Sequence, residues 1–85
     1  APAITAPAEG AEYLLEQDAH QQLMLACNAD NEVTAVNWYI NNKFYASASA
    51  HDKIFFEPEA GIIKISCTDD QGRNSNVMIE VKYLE

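Results

Sequence analysis

The amino-acid sequence predicts an all-β domain, an immunoglobulin-like antiparallel β-sandwich of about seven short strands. Three observations carry this expectation. Apolar residues recur with period two through most of the chain, the pattern of strands with one buried face. Turn-forming residues interrupt that pattern at short, regular intervals. Cys27, Trp38 and Cys67 occupy inward positions of three separate predicted strands, in an order that such sandwiches use. No stretch holds the i, i+3, i+4, i+7 spacing of an amphipathic helix.

The elements follow in chain order. Ile4, Pro7 and Gly10 predict an edge strand broken by proline, which cannot donate to a ladder. Ala11 to Gln17 has the best helical composition but is short and poorly capped, and it reads as a strand or irregular edge. Leu23, Leu25 and Cys27 form one alternating set, and Val36, Trp38 and Ile40 form the next. The polar run Asn28 to Glu32 is the loop between them. Asn41-Asn42 predicts a two-residue hairpin turn, because asparagine tolerates positive φ. Ala46 to Asp52, small and weakly patterned, reads as a connecting loop. Ile54 and Phe56 are followed by a Pro58–Gly61 loop, then by Ile63, Ile65 and Cys67. Asp69 to Asn74 turns the chain into a last strand carrying Val77, Ile79 and Val81. The whole chain, 1–85, is one domain. Ala1-Pro2 follows no initiator methionine and Leu84-Glu85 resembles a cloning-site remnant, so the chain reads as an excerpt of a longer protein.

Charge narrows the function classes. Five strong bases stand against 13 acids, a net charge of −8, whereas nucleic-acid binding requires a basic face that displaces counterions. An anionic membrane surface is disfavoured for the same reason. No apolar run reaches the ~18 residues of a membrane span.

Catalytic patterns are sparse. His20 and His51 lie far apart without a metal-binding partner motif. Gly10, Gly61 and Gly72 are isolated and form no phosphate loop. Ser47, Ser49, His51 and Asp52 share one short run, but a triad needs side chains converging from separate places. The expectation is a non-enzymatic domain without a cofactor.

Four groups of residues remain as candidates. Cys27 and Cys67 would face each other across the sheets, either as an inter-sheet disulfide packed on Trp38, the core anchor, or as two buried thiols. The loop after the second predicted strand and the loop before the last lie at the same end of such sandwiches. That places Asp30 and Glu32 near Asp69 and Asp70. Four carboxylates there would hold Ca²⁺, meet a basic partner surface, or act as solvated loop acids. Tyr39, Phe44, Tyr45 and Phe55 flank the third and fourth predicted strands, and Tyr39 and Phe55 have outward parity. They form a candidate contact face for sugars or a neighbouring domain.

Several short motifs resemble a known family. Ile4-x-x-Pro7-x-x-Gly10 opens the chain. Asn37-Trp38-Tyr39-Ile40-Asn41-Asn42-Lys43 is similar to a Trp-aromatic-aliphatic-x-Gly hairpin in which Asn42 replaces the glycine. Pro58-x-x-Gly61 leads into a strand, and Thr68-Asp69-Asp70-Gln71-Gly72-Arg73-Asn74-Ser75 forms a T-D-x-x-G-x-x-S turn. In this order, over nearly the whole chain, they resemble the C-terminal domain of penicillin-binding protein 1C, a bifunctional peptidoglycan synthase family. The resemblance implies a non-catalytic accessory domain in the periplasm, attached to glycosyltransferase and transpeptidase domains of a membrane-anchored parent. It implies as partners those catalytic domains, a periplasmic protein or peptidoglycan. No Ser-x-x-Lys, Ser-x-Asn or Lys-Thr-Gly is present, so no catalytic residue carries over. The alternative is an immunoglobulin-like repeat of a bacterial surface adhesin or of a secreted carbohydrate-active enzyme.

Overall fold

The computed structural model describes residues 2–84; Ala1 and Glu85, the second residue of the expected cloning remnant, lie outside the described residues. Eight strands appear among them: β1 (Ala3–Ala6), β2 (Glu12–Glu16), β3 (Leu23–Asn28), β4 (Ala35–Ile40), β5 (Lys43–Ser49), β6 (Ile54–Phe56), β7 (Gly61–Asp69) and β8 (Asn74–Leu84). They form a three-stranded sheet in the order β1-β3-β6 and a five-stranded sheet in the order β2-β8-β7-β4-β5.

The sandwich follows from alternation. The inward set Leu23, Leu25, Val36, Trp38, Phe56, Ile63, Ile65, Cys67, Val77, Ile79 and Val81 is buried between the sheets. Trp38 is fully enclosed and sits opposite Cys67 on one side and Ala46 on the other in the ladder of the larger sheet. Its indole Nε1 has no hydrogen-bond partner among the described residues.

The first strand divides in two. The chain leaves β1, antiparallel to β3, passes Pro7 to Gly10, and joins the opposite sheet as β2. There Gly10 N donates to Met78 O at 2.8 Å, and β2 runs parallel to β8. This parallel pair is the exception to the antiparallel arrangement expected, since every other pairing is antiparallel. It also makes the strand count eight, because Ala11–Gln17 contributes a strand of its own.

The hairpin between β4 and β5 turns at Asn41 and Asn42, both at positive φ (52° and 69°). Asn41 Oδ1 accepts the Lys64 backbone N–H at 2.9 Å, and Asn41 N donates to Lys64 O at 2.9 Å. The turn is thereby tied to β7.

The segment expected as a loop from Ala46 is instead strand as far as Ser49. Small residues have weak strand preference, but here the register sets each residue from Ala46 to Ser49 opposite one of β4. A register shift between Trp38 and Tyr39 leaves Tyr45 as the extra residue of β5. Such a bulge re-aims side chains, and its effect appears in the aromatic groups described next.

Candidate functional site

The two loops expected at one end do meet, and an arginine sits between their acids. Arg73 Nε donates to Asp69 Oδ2 at 2.8 Å, Nη1 lies 3.3 Å from Asp30 Oδ2, and Nη2 lies 3.8 Å from Glu32 Oε1. Asp69 is buried, and its Oδ1 accepts the backbone N–H groups of Gln71 and Arg73, both at 2.9 Å. Burial works against the charged form of Asp69. The hydrogen bonds from Arg73 and Gln71 together outweigh it and hold the carboxyl below its ordinary range. Asp70 turns to the other loop, accepting Thr34 N at 3.0 Å and Thr34 Oγ1 at 2.9 Å. Those two bonds lower its pKa as well.

Asp30, Glu32 and Asp69 therefore brace the end of the sandwich around a guanidinium, while Asp70 ties the turn to Thr34. No group of three or more His, Cys, Asp or Glu side chains with metal-binding geometry occurs among the described residues. Arg73 was not among the sequence candidates. The signal was available, since one of only five strong bases follows Asp69 by four residues.

The four candidate aromatics separate into three directions. Tyr39 and Phe44 are cross-strand partners in an edge-to-face pair, centroids 5.8 Å apart, on the outer side of the five-stranded sheet. Tyr45, re-aimed by the bulge, meets the buried Phe56 edge-on at 6.2 Å. Its hydroxyl donates to Phe55 O at 2.5 Å, joining the edge strands of the two sheets. Phe55 alternates with the buried Phe56 and stands exposed on the far side of the smaller sheet.

A groove of about 330 Å³ opens where β5 and β6 diverge. Ile40, Phe44, Tyr45, Phe56 and Ile63 supply its apolar walls, and Asn41, Lys43, Glu57 and Glu59 supply polar groups. Glu57 Oε1 lies 3.1 Å from His20 Nδ1 at the surface. The groove thus combines aromatic surface with charges of both signs.

Cys27 on β3 and Cys67 on β7 come from opposite sheets, and both carry free thiols in this structure. The two thiols are near enough to influence each other's ionisation. Cys27 Sγ also lies 3.8 Å from Ala50 O. Burial raises both thiols, and with the neighbouring Cys27 it pushes Cys67 up to about 12. Protonated thiols are poor nucleophiles, so neither cysteine is equipped for covalent catalysis. Ser47 and Ser49 lie on the exposed side of β5, and among the described residues their hydroxyls pair with Asn37 Oδ1 and the His51 backbone N–H. The Ser–His–Asp run therefore builds no relay among the described residues.

Comparison with solved structures gives the fold. The chain aligns over 100% of its length, and over 99% of the other, with fibronectin(III)-like modules of CbhA from Clostridium thermocellum, at TM-score 0.77 and 14% identity. It also aligns in full with 25% of SGBP-B of the Bacteroides ovatus mixed-linkage glucan utilization locus, solved with a mixed-linkage heptasaccharide, at TM-score 0.60 and 20% identity. Both likenesses identify an immunoglobulin-like β-sandwich. Comparison with curated protein sequences gave no match. The model of the penicillin-binding protein C-terminus family matches residues 1–81. With the sandwich, the hairpin around Trp38 and the Asp69–Arg73 turn spanning that same stretch, the chain belongs to the penicillin-binding protein C-terminus family.

Proposed function

We propose that this domain is a non-catalytic accessory module of a bifunctional penicillin-binding protein, lying in the periplasm and docking its parent enzyme on peptidoglycan. The observation that supports this reading is the groove between β5 and β6. It offers aromatic and aliphatic walls beside Lys43, Glu57 and Glu59. Peptidoglycan carries sugar rings beside peptide stems with amines and carboxylates, and a groove of mixed charge and apolar surface suits such a polymer. Membership of the family supplies the accessory role. In this reading the glycosyltransferase and transpeptidase chemistry belongs to other domains of the parent. A rigid sandwich presents the binding surface to them.

Incubating the chain with purified cell-wall sacculi and, separately, with periplasmic extract tests the proposal. Retention on sacculi, reduced by Phe44→Ala or by Glu59→Gln, is the expected result. No retention on sacculi, together with capture of a discrete periplasmic protein, would overturn the peptidoglycan reading in favour of a protein partner.

A second reading has one observation behind it. The TM-score of 0.77 to the CbhA modules fits a repeat of a secreted carbohydrate-active enzyme or adhesin. A transpeptidase domain encoded ahead of Ala1 supports the first reading, and tandem sandwich repeats there support the second.

A further inference from the structure

The outward side of the larger sheet carries a neutral polar surface. Register aligns Ser47, Asn37, Thr68 and Asn74 in one row across β5, β4, β7 and β8. The adjacent row is Phe44, Tyr39, Ser66 and Asn76. None of these eight residues is charged, in a chain with 13 acids. The next outward residue of β7, Lys64, directs its ammonium to Asn42 Oδ1 at 3.2 Å.

Three hydroxyl–amide pairs fix the rows. Ser47 Oγ donates to Asn37 Oδ1 at 2.5 Å, Ser66 Oγ to Asn76 Oδ1 at 2.7 Å, and Thr68 Oγ1 to Asn74 Oδ1 at 3.4 Å. In every pair the amide oxygen faces its neighbour, so each Nδ2 retains two donors, and the hydroxyl oxygens of Ser47 and Thr68 retain acceptor capacity, while the buried Ser66 serves to hold Asn76 in place. The side chains are held in place before any ligand arrives, which removes part of the ordering cost of binding. At the end of one row Phe44 is 61% exposed while resting edge-on against Tyr39. It presents a ring beside a line of amides and hydroxyls.

We infer that this face binds an uncharged glycan strand, laid across β5, β4, β7 and β8 with one sugar ring against Phe44. The inference deepens the proposed docking on peptidoglycan and rests on it, assigning the sugar backbone to the sheet face. Chemistry selects this occupant. A charged ligand finds no countercharge in either row, and the net charge of −8 repels anionic polymers. An apolar protein surface would bury the amide donors without partners, which is costly. Sugar hydroxyls and acetamido groups answer both donors and acceptors, and the C–H face of a pyranose packs on an aromatic ring. A row of four strands spans roughly 14 Å, room for a short run of rings.

The test uses the 85-residue chain labelled with ¹⁵N, titrated with uncharged, peptide-free oligomers of β-1,4-linked N-acetylglucosamine, and separately with stem peptides released from sacculi by amidase. The expected result is that the glycan moves the side-chain amide signals of Asn37, Asn74 and Asn76, and the stem peptides do not. Phe44→Ala should weaken glycan binding by about three- to tenfold with the rest of the spectrum unchanged. Wild-type mapping decides the question even if that variant misfolds. Glycan shifts confined to the groove around Glu57 and Glu59 would overturn the inference. So would intact sacculi binding the chain while peptide-free glycan at millimolar concentration moves none of the three amides. That last outcome would leave docking on peptidoglycan standing and place recognition on the peptide stems.

Discussion

Arg73 Nε donates to Asp69 Oδ2 at 2.8 Å within a turn whose own backbone N–H groups cap the same carboxylate. From there the guanidinium reaches Asp30 and Glu32 in the loop between β3 and β4. One side chain thus ties the β7–β8 turn to the loop of a neighbouring connection. The link matters in a small domain with few other means of holding its ends together.

Replacing Arg73 with alanine should lower the melting temperature by several degrees, because Asp69 stays enclosed with its charge unpaired. Arg73→Lys should recover only part of the loss, since an ammonium cannot serve the three acids in the same planar fork. Thermal unfolding by circular dichroism measures both. Adding Ca²⁺ to millimolar concentration should leave the wild-type melting temperature unchanged, because the guanidinium already occupies the space among the carboxylates.

Stability should fall on acidification. Asp69 and Asp70 have folded pKa values below the ordinary 3.8. The unfolded chain therefore takes up protons first, and stability rises with pH across the interval between folded and unfolded values. Their contribution is complete above pH ~4–5 and is lost as pH drops through the depressed folded values. Asp70→Asn should flatten part of this acid limb in urea titrations made at successive pH values.

An alkaline limb should come from the cysteines. The folded pKa values of Cys27 and Cys67 lie above the ordinary 9.0, that of Cys67 at about 12. The unfolded chain releases these protons first, so the contribution is full below pH 9 and declines as pH rises toward 12. Cys67→Ala should remove most of that decline.

Facing thiols from two sheets should also close under an oxidised thiol–disulfide buffer. Each thiol proton and electron passes to the buffer disulfide, and the chain loses two hydrogens by mass spectrometry. Linking Cys27 to Cys67 closes a loop of about 40 residues, which the chain-entropy model values at roughly 3.5–4 kcal/mol. A chain that stays reduced under these conditions, or whose oxidised form melts lower, would count against the pairing.

Trp38→Ala should cost about 3–5 kcal/mol, enough to unfold a marginal domain at room temperature. Trp38→Phe should cost much less, because Nε1 has no partner to lose. At the hairpin, Asn42→Ala should cost up to about 1 kcal/mol, because alanine lacks the short amide that lets asparagine settle in the left-handed region and that receives Lys64, whereas Asn42→Gly, which removes the Cβ, should be neutral or better. Denaturant melts with a shared slope read all four variants.

Much of this molecule can be read from one strand at a time. The burial of Trp38, Leu25 and Ile65 follows from period-two alternation, because a strand has only two faces and an aqueous solvent selects one. The turn at Asn41-Asn42 follows from the backbone that those two side chains tolerate. The meeting of the Asp30 and Asp69 loops follows from the sandwich topology.

Tertiary structure decided what depends on register and on crossing between sheets. Tyr39, Phe44, Tyr45 and Phe55 look like a single group in sequence, yet one extra residue in β5 turns Tyr45 toward Phe56 at the sheet edge while Phe44 stays on the outer face. The parallel pairing of β2 with β8 is equally invisible locally, since a strand's own sequence does not record the direction of its neighbour. Ser47, Asn37, Thr68 and Asn74 are unremarkable polar residues until four strands align them. Alternation assigns each residue to a side of its own strand, but backbone pairing over long sequence separations determines which residues become neighbours.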